Sequence, residues 1–426
     1  MTYQETLEYI HSVNWQTSKP GLERTTELLQ KLGNPEKKLK FVHIAGTNGK
    51  GSTAACVAAI MQKAGYKTGL YTSPYILRFN ERMQIDGEHI SDEELIELTE
   101  EIRPFADSME DVPTEFEVIT ALAMQYFYRH KCDIVVLEVG LGGELDATNV
   151  IEAPECAVIT AIGLDHTAVL GDTLPEIASA KAGIIKEGCD VVTYRAEPEV
   201  EEVFERTCKE KHARLFKADF GRIRVHSYEL DAVHFDFEPY RNISLPLVGT
   251  YQPKNAAVAI TAVERLRQKG WQITDEDIVE GLRHVFWPGR FEILMKKPVF
   301  VLDGAHNPHG MVATSESLRT YFAGKKLIFV MGVMADKDVR GMIELLAPMA
   351  KEFIAVEPHN SRAMGPEELK GIMESFGVPT RTFPTIEAGV EAALDTATPA
   401  DVIVALGSLY FSADVRKAVL GSGAKA

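Results

Sequence analysis

Cysteine is scarce in this chain of 426 residues, and its few copies never form a C-x-x-C pair. They are Cys56, Cys132, Cys156, Cys189 and Cys208. This spacing argues against a zinc site or a disulfide framework and is typical of reduced thiols in a cytoplasm. No apolar run is long enough to span a bilayer, and the opening MTYQETLEYI lacks the basic start and apolar core of a signal peptide. We therefore expect a cytoplasmic protein with no membrane partner.

Positive charge is also in short supply. Lysine and arginine number 45 against 62 aspartates and glutamates, which gives a formal net charge of −17. Binding nucleic acid over a broad surface requires clustered positive charge, so this balance argues against a nucleic-acid partner. An anionic small molecule remains compatible with the composition wherever the positive potential is local.

Near-continuous apolar stretches alternate with helical patterns along most of the chain. Strands are predicted at 41–46, 67–72, 133–140, 156–163 and 190–194. Helices are predicted at 92–102, 115–130, 175–186, 253–268 and 275–284. Apolar strands of this kind are buried on both faces, which predicts a mostly parallel sheet covered by helices. Residues 221–247 differ, because their turn-punctuated pattern predicts an antiparallel edge.

The segment FWPGRFE at 286–292 interrupts the alternation, because Pro-Gly is a strong breaker. Further strands are predicted after it, at 299–304, 327–333, 353–357 and 401–406. Since the length exceeds one ordinary hydrophobic core, we expect an α/β protein of two domains. These are a larger N-terminal P-loop ATPase domain at 1–285 with a mostly parallel sheet and a smaller Rossmann-like α/β domain at 293–426, joined by a linker at 286–292.

The segment HIAGTNGKGST at 43–53 places a glycine-rich turn between a predicted strand and an apolar helix. Consecutive backbone N–H groups and the positive end of a helix favour a phosphate there. Lys50 is positioned to reach the β- and γ-phosphates of a nucleotide, and the hydroxyl of Ser52 or Thr53 to approach Mg²⁺. The usual P-loop pattern is altered, because Gly51 separates Lys50 from Ser52. The alternative is a tight turn whose glycines serve geometry alone.

Several polar side chains follow predicted strands, where open α/β sheets bind ligands. Glu138 ends one apolar run, and a carboxylate there requires pairing, hydration or a metal ion. His166 follows another, and a neutral imidazole binds metal. The structural alternatives are a buried ion-pair partner for Glu138 and a satisfied histidine for His166. Ser73 opens the segment 73–87, which is too polar for a regular element and is predicted to form a lid or substrate loop.

Further candidates lie in and after the predicted linker. Arg290 is positioned to bind a phosphate bidentately, with a solvated linker charge as the alternative. Asp303 and His306, in DGAHNP, end the first predicted strand of the C-terminal domain and are expected to face the cleft between domains.

Six segments occur in order along the chain: GTNGKGS, YTSP…RFNER, LEVGLGGELDATN, GLDHTAVLGDTLPEIASAKAGIIK, WPGRFE and DGAHNP. Together they resemble the folylpolyglutamate synthase family, whose bacterial members often also act as dihydrofolate synthases. The resemblance runs from near the N-terminus to about residue 411. The family is grouped with the Mur ligases, whose nucleotide loop has the same shortened form.

The resemblance implies a set of site residues. The ATP site would comprise Gly46, Thr47, Asn48, Gly49, Lys50, Gly51, Ser52, Asn255, Arg290 and Asp303. The magnesium ligands would be Ser73, Glu138, His166 and Lys181, the last carbamylated and holding a second ion. The catalytic residues would be Lys50, Lys181 and His306. The substrate contacts would be Arg82 in the loop and the pterin-site residues Thr114, Glu115, Phe116, Glu117, Leu145, Asp146 and Ala147.

The implied activity is an ATP-dependent ligation through an acyl phosphate. The substrates would be a reduced folate or dihydropteroate together with L-glutamate, the cofactors ATP and two Mg²⁺ ions, and the enzyme a monomer. One alternative is a Mur-type amide ligase acting on a nucleotide-sugar substrate. A second is a nucleotide-dependent binding protein without catalysis, which the presence of Lys50, Glu138 and His166 disfavours.

Overall fold

The computed structural model describes residues 1–12 and 21–421, in which the strands form three sheets. The strands before the linker are β1 (Phe41–Ala45), β2 (Thr68–Tyr71), β3 (Met83–Ile85), β4 (Glu88–His89), β5 (Ile134–Glu138), β6 (Cys156–Ile159), β7 (Asp190–Thr193), β8 (Arg214–Lys217), β9 (Ile223–Tyr228), β10 (Val233–Phe237) and β11 (Tyr240–Leu245). Those that follow are β12 (Glu292–Lys296), β13 (Val299–Leu302), β14 (Leu327–Met331), β15 (Ala350–Ala355), β16 (Thr380–Thr382) and β17 (Val402–Leu406).

Helices cover the sheets. Those before the linker are α1 (Tyr3–Ser12), α2 (Glu23–Lys31), α3 (Lys50–Lys63), α4 (Asp92–Asp107), α5 (Glu115–Arg129), α6 (Thr167–Leu170), α7 (Leu174–Ala182), α8 (Pro198–Glu210), α9 (Gln252–Gln268) and α10 (Asp275–Arg283). Those after it are α11 (Pro308–Tyr321), α12 (Val339–Leu346), α13 (Pro366–Glu374), α14 (Ile386–Thr396) and α15 (Ser412–Leu420). None of the helices within 1–12 and 21–421 combines the length and apolar character that a bilayer crossing needs.

The larger sheet has the order β4-β3-β2-β5-β1-β6-β7-β8. At one edge, β4 pairs antiparallel with β3 and β3 pairs antiparallel with β2. The remaining neighbours, in the order β2-β5-β1-β6-β7-β8, all run parallel. β1 lies between β5 and β6, and its register sets Ile44 opposite Glu138. The loops that follow these three strands therefore meet at one edge of the sheet.

The second α/β sheet has the order β12-β13-β17-β14-β15-β16 and is parallel except for β12. Together the two sheets confirm the predicted α/β architecture, with a large mostly parallel sheet and a separate C-terminal α/β domain. Residues 13–20 and 422–426 of the predicted domain ranges lie outside the described residues.

Residues 221–247 are antiparallel as predicted, but the expectation of an edge strand was wrong. β9, β10 and β11 form a sheet of their own rather than extending the large one. The buried faces of β10 and β11, including Phe235 and Ile243, share a hydrophobic core with α3 and α9. This small sheet therefore covers the helices behind the phosphate loop.

The segment 73–87 was predicted to lack regular structure, and this was wrong for its second half. Phe79–Arg82 forms a 3₁₀ turn and β3 follows it directly. Glu81 organises the turn, because its carboxylate accepts hydrogen bonds from the backbone N–H groups of Ile76, Leu77 and Arg78 at 2.7 to 2.8 Å. A polar residue that satisfies backbone groups locally gives order without an apolar period.

Candidate active site

A cavity of about 860 Å³ opens between the two α/β domains. Residues after β1, β2, β5 and β6 line it from one side and residues after β13 from the other, which is where open α/β sheets bind ligands. Most of the residues predicted to form the site line this cavity: Gly46, Thr47, Asn48, Gly49, Lys50, Gly51, Ser52, Ser73, Glu138, His166, Lys181, Asn255, Arg290, Asp303 and His306.

The loop after β1 is held against the loop after β6. The backbone N–H groups of Thr47 and Asn48 donate to the carbonyl oxygen of Ala161 at 2.9 and 3.2 Å. Gly49 has φ 88°, and a Cβ on it would lie 2.6 Å from Oδ1 of Asn255, so both backbone and space require glycine. The first N–H groups of α3 have no acceptor within the helix and are available to an anion at its N-terminus.

Lys50 and Ser52 of this loop face the cavity, whereas Thr53 does not. Nζ of Lys50 donates to the carbonyl oxygen of Gly46 at 3.2 Å and lies in the cavity. Ser52 also lines the cavity, and its Oγ accepts a hydrogen bond from Nε2 of Gln252 at 3.4 Å. Thr53 is fully buried and does not line the cavity, so its position gives no support to the predicted magnesium contact.

Glu138 ends β5 as a buried carboxylate facing the cavity. The backbone N–H of Ser73 donates to its Oε2 at 3.2 Å. Burial raises the pKa of Glu138, and the positive charges of Lys50 and Arg290 act in the opposite direction. It forms no ion pair with the described residues, so a cation in the cavity would offset the cost of burying its charge.

His166 has the left-handed backbone conformation, with φ 51° and ψ 38°, immediately before the short helix α6. Burial lowers the pKa of its imidazole, and the neighbouring Asp165 opposes this only in part. The ring is therefore neutral near pH 7, which is the form that binds a metal ion.

Lys181 lies on α7 with its side chain buried at the cavity. Its side-chain amine forms no hydrogen bond or ion pair with any part of the chain that the structure describes. Burial, helped by the charge of Lys50, lowers the pKa of Lys181 to about 7. A substantial fraction of this amine is therefore neutral at physiological pH.

The donors at this end of the cavity suit magnesium bound together with a nucleotide. The hydroxyls of Ser52 and Ser73 and the carboxylate of Glu138 are hard oxygen donors, which Mg²⁺ prefers. Among residues 1–12 and 21–421, no three His, Cys, Asp or Glu side chains converge to hold a metal alone. The ion would therefore need nucleotide oxygens, water or a modified lysine to complete its coordination.

Asp165 was missed as a site residue, although it precedes His166. Its Oδ1 accepts from Nζ of Lys337 at 3.0 Å and its Oδ2 from Nδ2 of Asn307 at 2.9 Å, and both partners belong to the C-terminal domain. Burial would raise the pKa of Asp165, but the nearby positive groups outweigh it and hold that pKa well below its usual range. Lys337 follows a predicted strand, and this position could have marked it as a candidate site residue. Nothing in the sequence indicated that it pairs with Asp165.

On the C-terminal side, Asp303 is buried and its carboxylate is fully engaged. It accepts from the backbone N–H groups of Phe291 at 2.7 Å and Ala305 at 2.8 Å, and from Oγ1 of Thr314 at 3.0 Å. Nδ1 of His306 lies 2.8 Å from the carbonyl oxygen of Gly304, which assigns its proton to Nδ1. Asp303 therefore shapes this wall. The unprotonated Nε2 of His306 accepts no hydrogen bond from the described residues and lies 3.7 Å from Oδ2 of Asp165.

The predicted substrate residues do not line the cavity: Arg82, Thr114, Glu115, Phe116, Glu117, Leu145, Asp146 and Ala147. Arg82 lies next to it, because its guanidinium donates to Oγ of Ser73 at 2.9 Å. Phe116 lies behind Gly140, where a Cβ would be 2.5 Å from its ring.

Two of these residues have clear structural partners. Glu117 forms a bidentate ion pair with Arg24 at 2.8 and 2.9 Å and also caps α5 by accepting from the N–H of Thr114. Asp146 accepts from the N–H of Leu141 at 2.8 Å and from the hydroxyl and N–H of Thr148. Their carboxylates therefore hold the loops beside the cavity, and a role in substrate binding stays a prediction.

Comparison with known proteins gives a consistent family. Residues 44–263 match the Mur ligase middle domain, and residues 289–409 match the glutamate ligase domain of Mur ligases. The chain is 38% identical to the dihydrofolate synthase/folylpolyglutamate synthase of Bacillus subtilis, over 97% of this chain and 98% of that protein. It is 36% identical to the folylpolyglutamate synthase of Lacticaseibacillus casei, over 99% of both chains.

A solved structure agrees. The folylpolyglutamate synthase of Mycobacterium tuberculosis, complexed with ADP and AMPPCP, superposes with a TM-score of 0.88 at 30% identity and covers 99% of this chain and 100% of its own. With two Mur ligase domains and relatives that match along nearly the whole length, the chain belongs to the folylpolyglutamate synthase and dihydrofolate synthase family of Mur ligases and is an ATP-dependent ligase.

Proposed function

We propose that this protein uses ATP to join L-glutamate to a reduced folate, and that dihydropteroate is a second acceptor. The observation that carries the proposal is the cavity itself, in which a phosphate loop, a buried carboxylate and the DGAHNP wall of the second domain face one another. The names of the relatives support the same substrates over a nucleotide-sugar acceptor.

The reaction proceeds through an acyl phosphate. An oxygen of the folate carboxylate attacks the γ-phosphorus of ATP, and ADP leaves. The amine of glutamate then attacks the carbonyl carbon, inorganic phosphate leaves with the activated oxygen, and the nitrogen loses a proton. Phosphorylation is needed because a carboxylate oxygen is a poor leaving group, and no protein nucleophile takes part.

The chain's own groups position and neutralise the phosphates. Lys50 and the first N–H groups of α3 hold the β- and γ-phosphates, and Arg290 approaches them from the linker. Asn255 lies against Gly49 and would contact the nucleotide beside the loop. His306 presents an unprotonated Nε2 to the cleft, where it can accept a proton from the incoming amine. Closure of the two domains excludes water, which would hydrolyse the acyl phosphate.

Ser73, Glu138 and His166 would hold one Mg²⁺, with Ser52 beside it. The ion supplies charge neutralisation on the phosphoryl oxygens when bound. A carbamate on Lys181 would hold a second ion. The support for it is a buried amine whose pKa is lowered to about 7, because the neutral amine is the form that captures CO₂.

The remaining predicted site residues lie outside the cavity. Arg82 and the segments Thr114–Glu117 and Leu145–Ala147 would contact the pterin side of the substrate from beside the cavity.

We place the domain boundaries at 1–285 and 293–426, with a linker between them. A single chain supplies every proposed site residue, so a monomer suffices. All five cysteines are reduced and buried, which suits a cytoplasmic enzyme.

The test is release of ADP and phosphate with ATP, Mg²⁺ and L-glutamate, with the acceptor varied. Tetrahydrofolate and dihydropteroate should each stimulate release, and mass spectrometry should show the acceptor heavier by one glutamyl unit. A muramyl nucleotide serves as the control for a Mur-type ligase and should give no product. Product from the muramyl nucleotide alone would overturn the proposal.

A further inference from the structure

We propose that Lys337 is a positioning residue that couples seating of the C-terminal domain to the backbone of His166. The inference rests on the proposed role of His166 as a magnesium ligand. Lys337 follows β14 in the C-terminal domain and does not itself line the cavity. It would act through Asp165.

The contacts form a relay across the domain boundary. Oδ1 of Asp165 accepts two hydrogen bonds, from the backbone N–H of His166 at 2.9 Å and from Nζ of Lys337 at 3.0 Å. Its Oδ2 accepts from Nδ2 of Asn307 at 2.9 Å. Only 9% of the Asp165 side chain and 15% of the Lys337 side chain is exposed, so solvent screens this pair weakly.

The segment that carries His166 is exposed, and its local hydrogen bonds run from the N–H groups of Val169 and Leu170 to the carbonyl oxygen of His166, at 2.9 and 3.0 Å. Helix α6 consists of the four residues Thr167–Leu170, none of which is buried, and Leu164 before it is exposed. His166 also has a positive φ, which costs free energy for a residue other than glycine unless its surroundings enforce it. Asp165 supplies that enforcement by binding the His166 N–H, and Asp165 is in turn held by the second domain.

Hydrogen bonds fix the backbone around Lys337. The N–H of Lys337 donates to the carbonyl oxygen of Met334 at 3.2 Å, and its own carbonyl oxygen accepts from the N–H of Val339 at 2.8 Å. Asp338 caps α12 directly after it, accepting from the N–H of Gly341 at 3.0 Å. The backbone at Lys337 is thus fixed, and its ammonium orients the carboxylate that binds the N–H of His166.

An electrostatic effect and a positioning effect predict opposite changes in cation affinity when Lys337 is replaced by methionine. Replacing Lys337 by methionine removes a positive charge near the cation site and frees the charge of Asp165, and both effects taken alone would tighten cation binding. Loss of positioning would weaken it instead, because removing an outer partner of a metal ligand typically lowers affinity about 10- to 100-fold. The direction of the change therefore separates the two.

The experiment measures Mn²⁺ affinity of the full-length protein by electron paramagnetic resonance, in the presence of a non-hydrolysable ATP analogue and without folate. Lys337→Met should bind Mn²⁺ roughly tenfold more weakly than the unmodified protein, and Lys337→Arg should recover part of the loss. The matched control is Lys351→Met, which removes a lysine ion pair to Asp401 of 2.8 Å within the C-terminal domain and should leave the affinity unchanged.

Unchanged or tighter Mn²⁺ binding in Lys337→Met, with a circular dichroism spectrum like that of the unmodified protein, would overturn the inference. So would an unchanged affinity in His166→Ala, because the relay would then end at a residue that binds no metal. The affinity measurement needs no folate acceptor. If Lys337→Met shows the tenfold weakening while the unmodified protein ligates glutamate to none of the acceptors, the proposed function is contradicted and the positioning role stands.

Discussion

Asn48 and Asn307 exchange two hydrogen bonds across the cleft between the domains, each side-chain amide donating to the other's carbonyl oxygen at 3.2 Å. Asn48 lies in the phosphate loop and Asn307 is the N-cap of α11, where its Oδ1 also accepts from the N–H of Gly310 at 2.7 Å. One side chain therefore begins a helix of the second domain and joins that domain to the loop that holds the nucleotide.

Asn307→Ser should separate these two roles. Serine keeps a capping oxygen, so the start of α11 should be preserved, and the free energy of unfolding should fall only by the cost of the lost amide bonds, about 1 to 3 kcal/mol. It loses the amide that donates to both Asn48 and Asp165, so turnover should fall on the order of tenfold through misplacement of the loops that carry these residues. Urea unfolding and steady-state kinetics measure the two. Full turnover in Asn307→Ser would show that the amide pair has no part in catalysis.

Lys50→Ala should abolish most ligase activity while the fold persists. Loss of one charge-assisted contact to the transferring phosphoryl group costs about 3 kcal/mol, which is on the order of a hundredfold in turnover. Lys63→Ala, in the last turn of the same helix, is the matched control and should behave like the unmodified enzyme. Near-normal phosphate release by Lys50→Ala would exclude the assigned role.

Stability should depend on pH through Lys181. Its pKa is lowered in the folded protein to about 7 from 10.5, so between these values the unfolded chain binds the proton that the folded chain has lost. The free energy of unfolding attributable to this residue should therefore rise with pH across that window, by at most about 1.4 kcal/mol per pH unit.

The measurement is urea unfolding between pH 7 and pH 9.5 in buffer free of CO₂ and magnesium, so that no carbamate forms. Lys181→Met removes the titrating group and provides the reference curve. The difference between the two proteins should slope with pH. Parallel curves would mean that Lys181 titrates alike in the folded and unfolded chains.

Gly51→Ala should disturb the start of α3 by steric conflict. A Cβ at this position would lie 2.5 to 2.8 Å from the indole ring of Trp287, which packs on the glycine from the linker. Overpacking of this kind costs about 1 to 3 kcal/mol in free energy of unfolding. Trp287→Leu in the same chain should recover part of that loss, and a double-mutant cycle measures the coupling. Independent, additive effects would contradict the contact.

Much of the fold followed from the sequence because its strands are apolar throughout. β1, β2 and β5 lie inside the ranges predicted for them, since burial on both faces leaves a pattern that is hard to mistake. The strands β8, β12 and β16 were not predicted. They lie at sheet edges with half-exposed faces, where short strands carry little periodic signal.

The candidate site could also be predicted only in part. The phosphate loop could be found because its chemistry is contiguous in the chain. The pair of Asp165 and Lys337 could not, because 172 residues separate its members and each looks like an ordinary loop charge. Glu117 shows a different limit. It pairs with Arg24 and caps α5, and a motif alone cannot distinguish such a structural role from the substrate contact that stays predicted for it.

The hydrogen bonds of Asp303 have a mechanical consequence for Arg290. Asp303 binds the N–H of Phe291, and the N–H of Gly304 donates to the carbonyl oxygen of Gly289 at 2.9 Å, so residues 289–291 are clamped to the strand end of the second domain. Trp287 is wedged against the first domain at Gly51. We therefore expect any rotation of one domain on the other to occur at the Pro288–Gly289 joint, and we expect Arg290, one residue beyond it, to move together with the second domain.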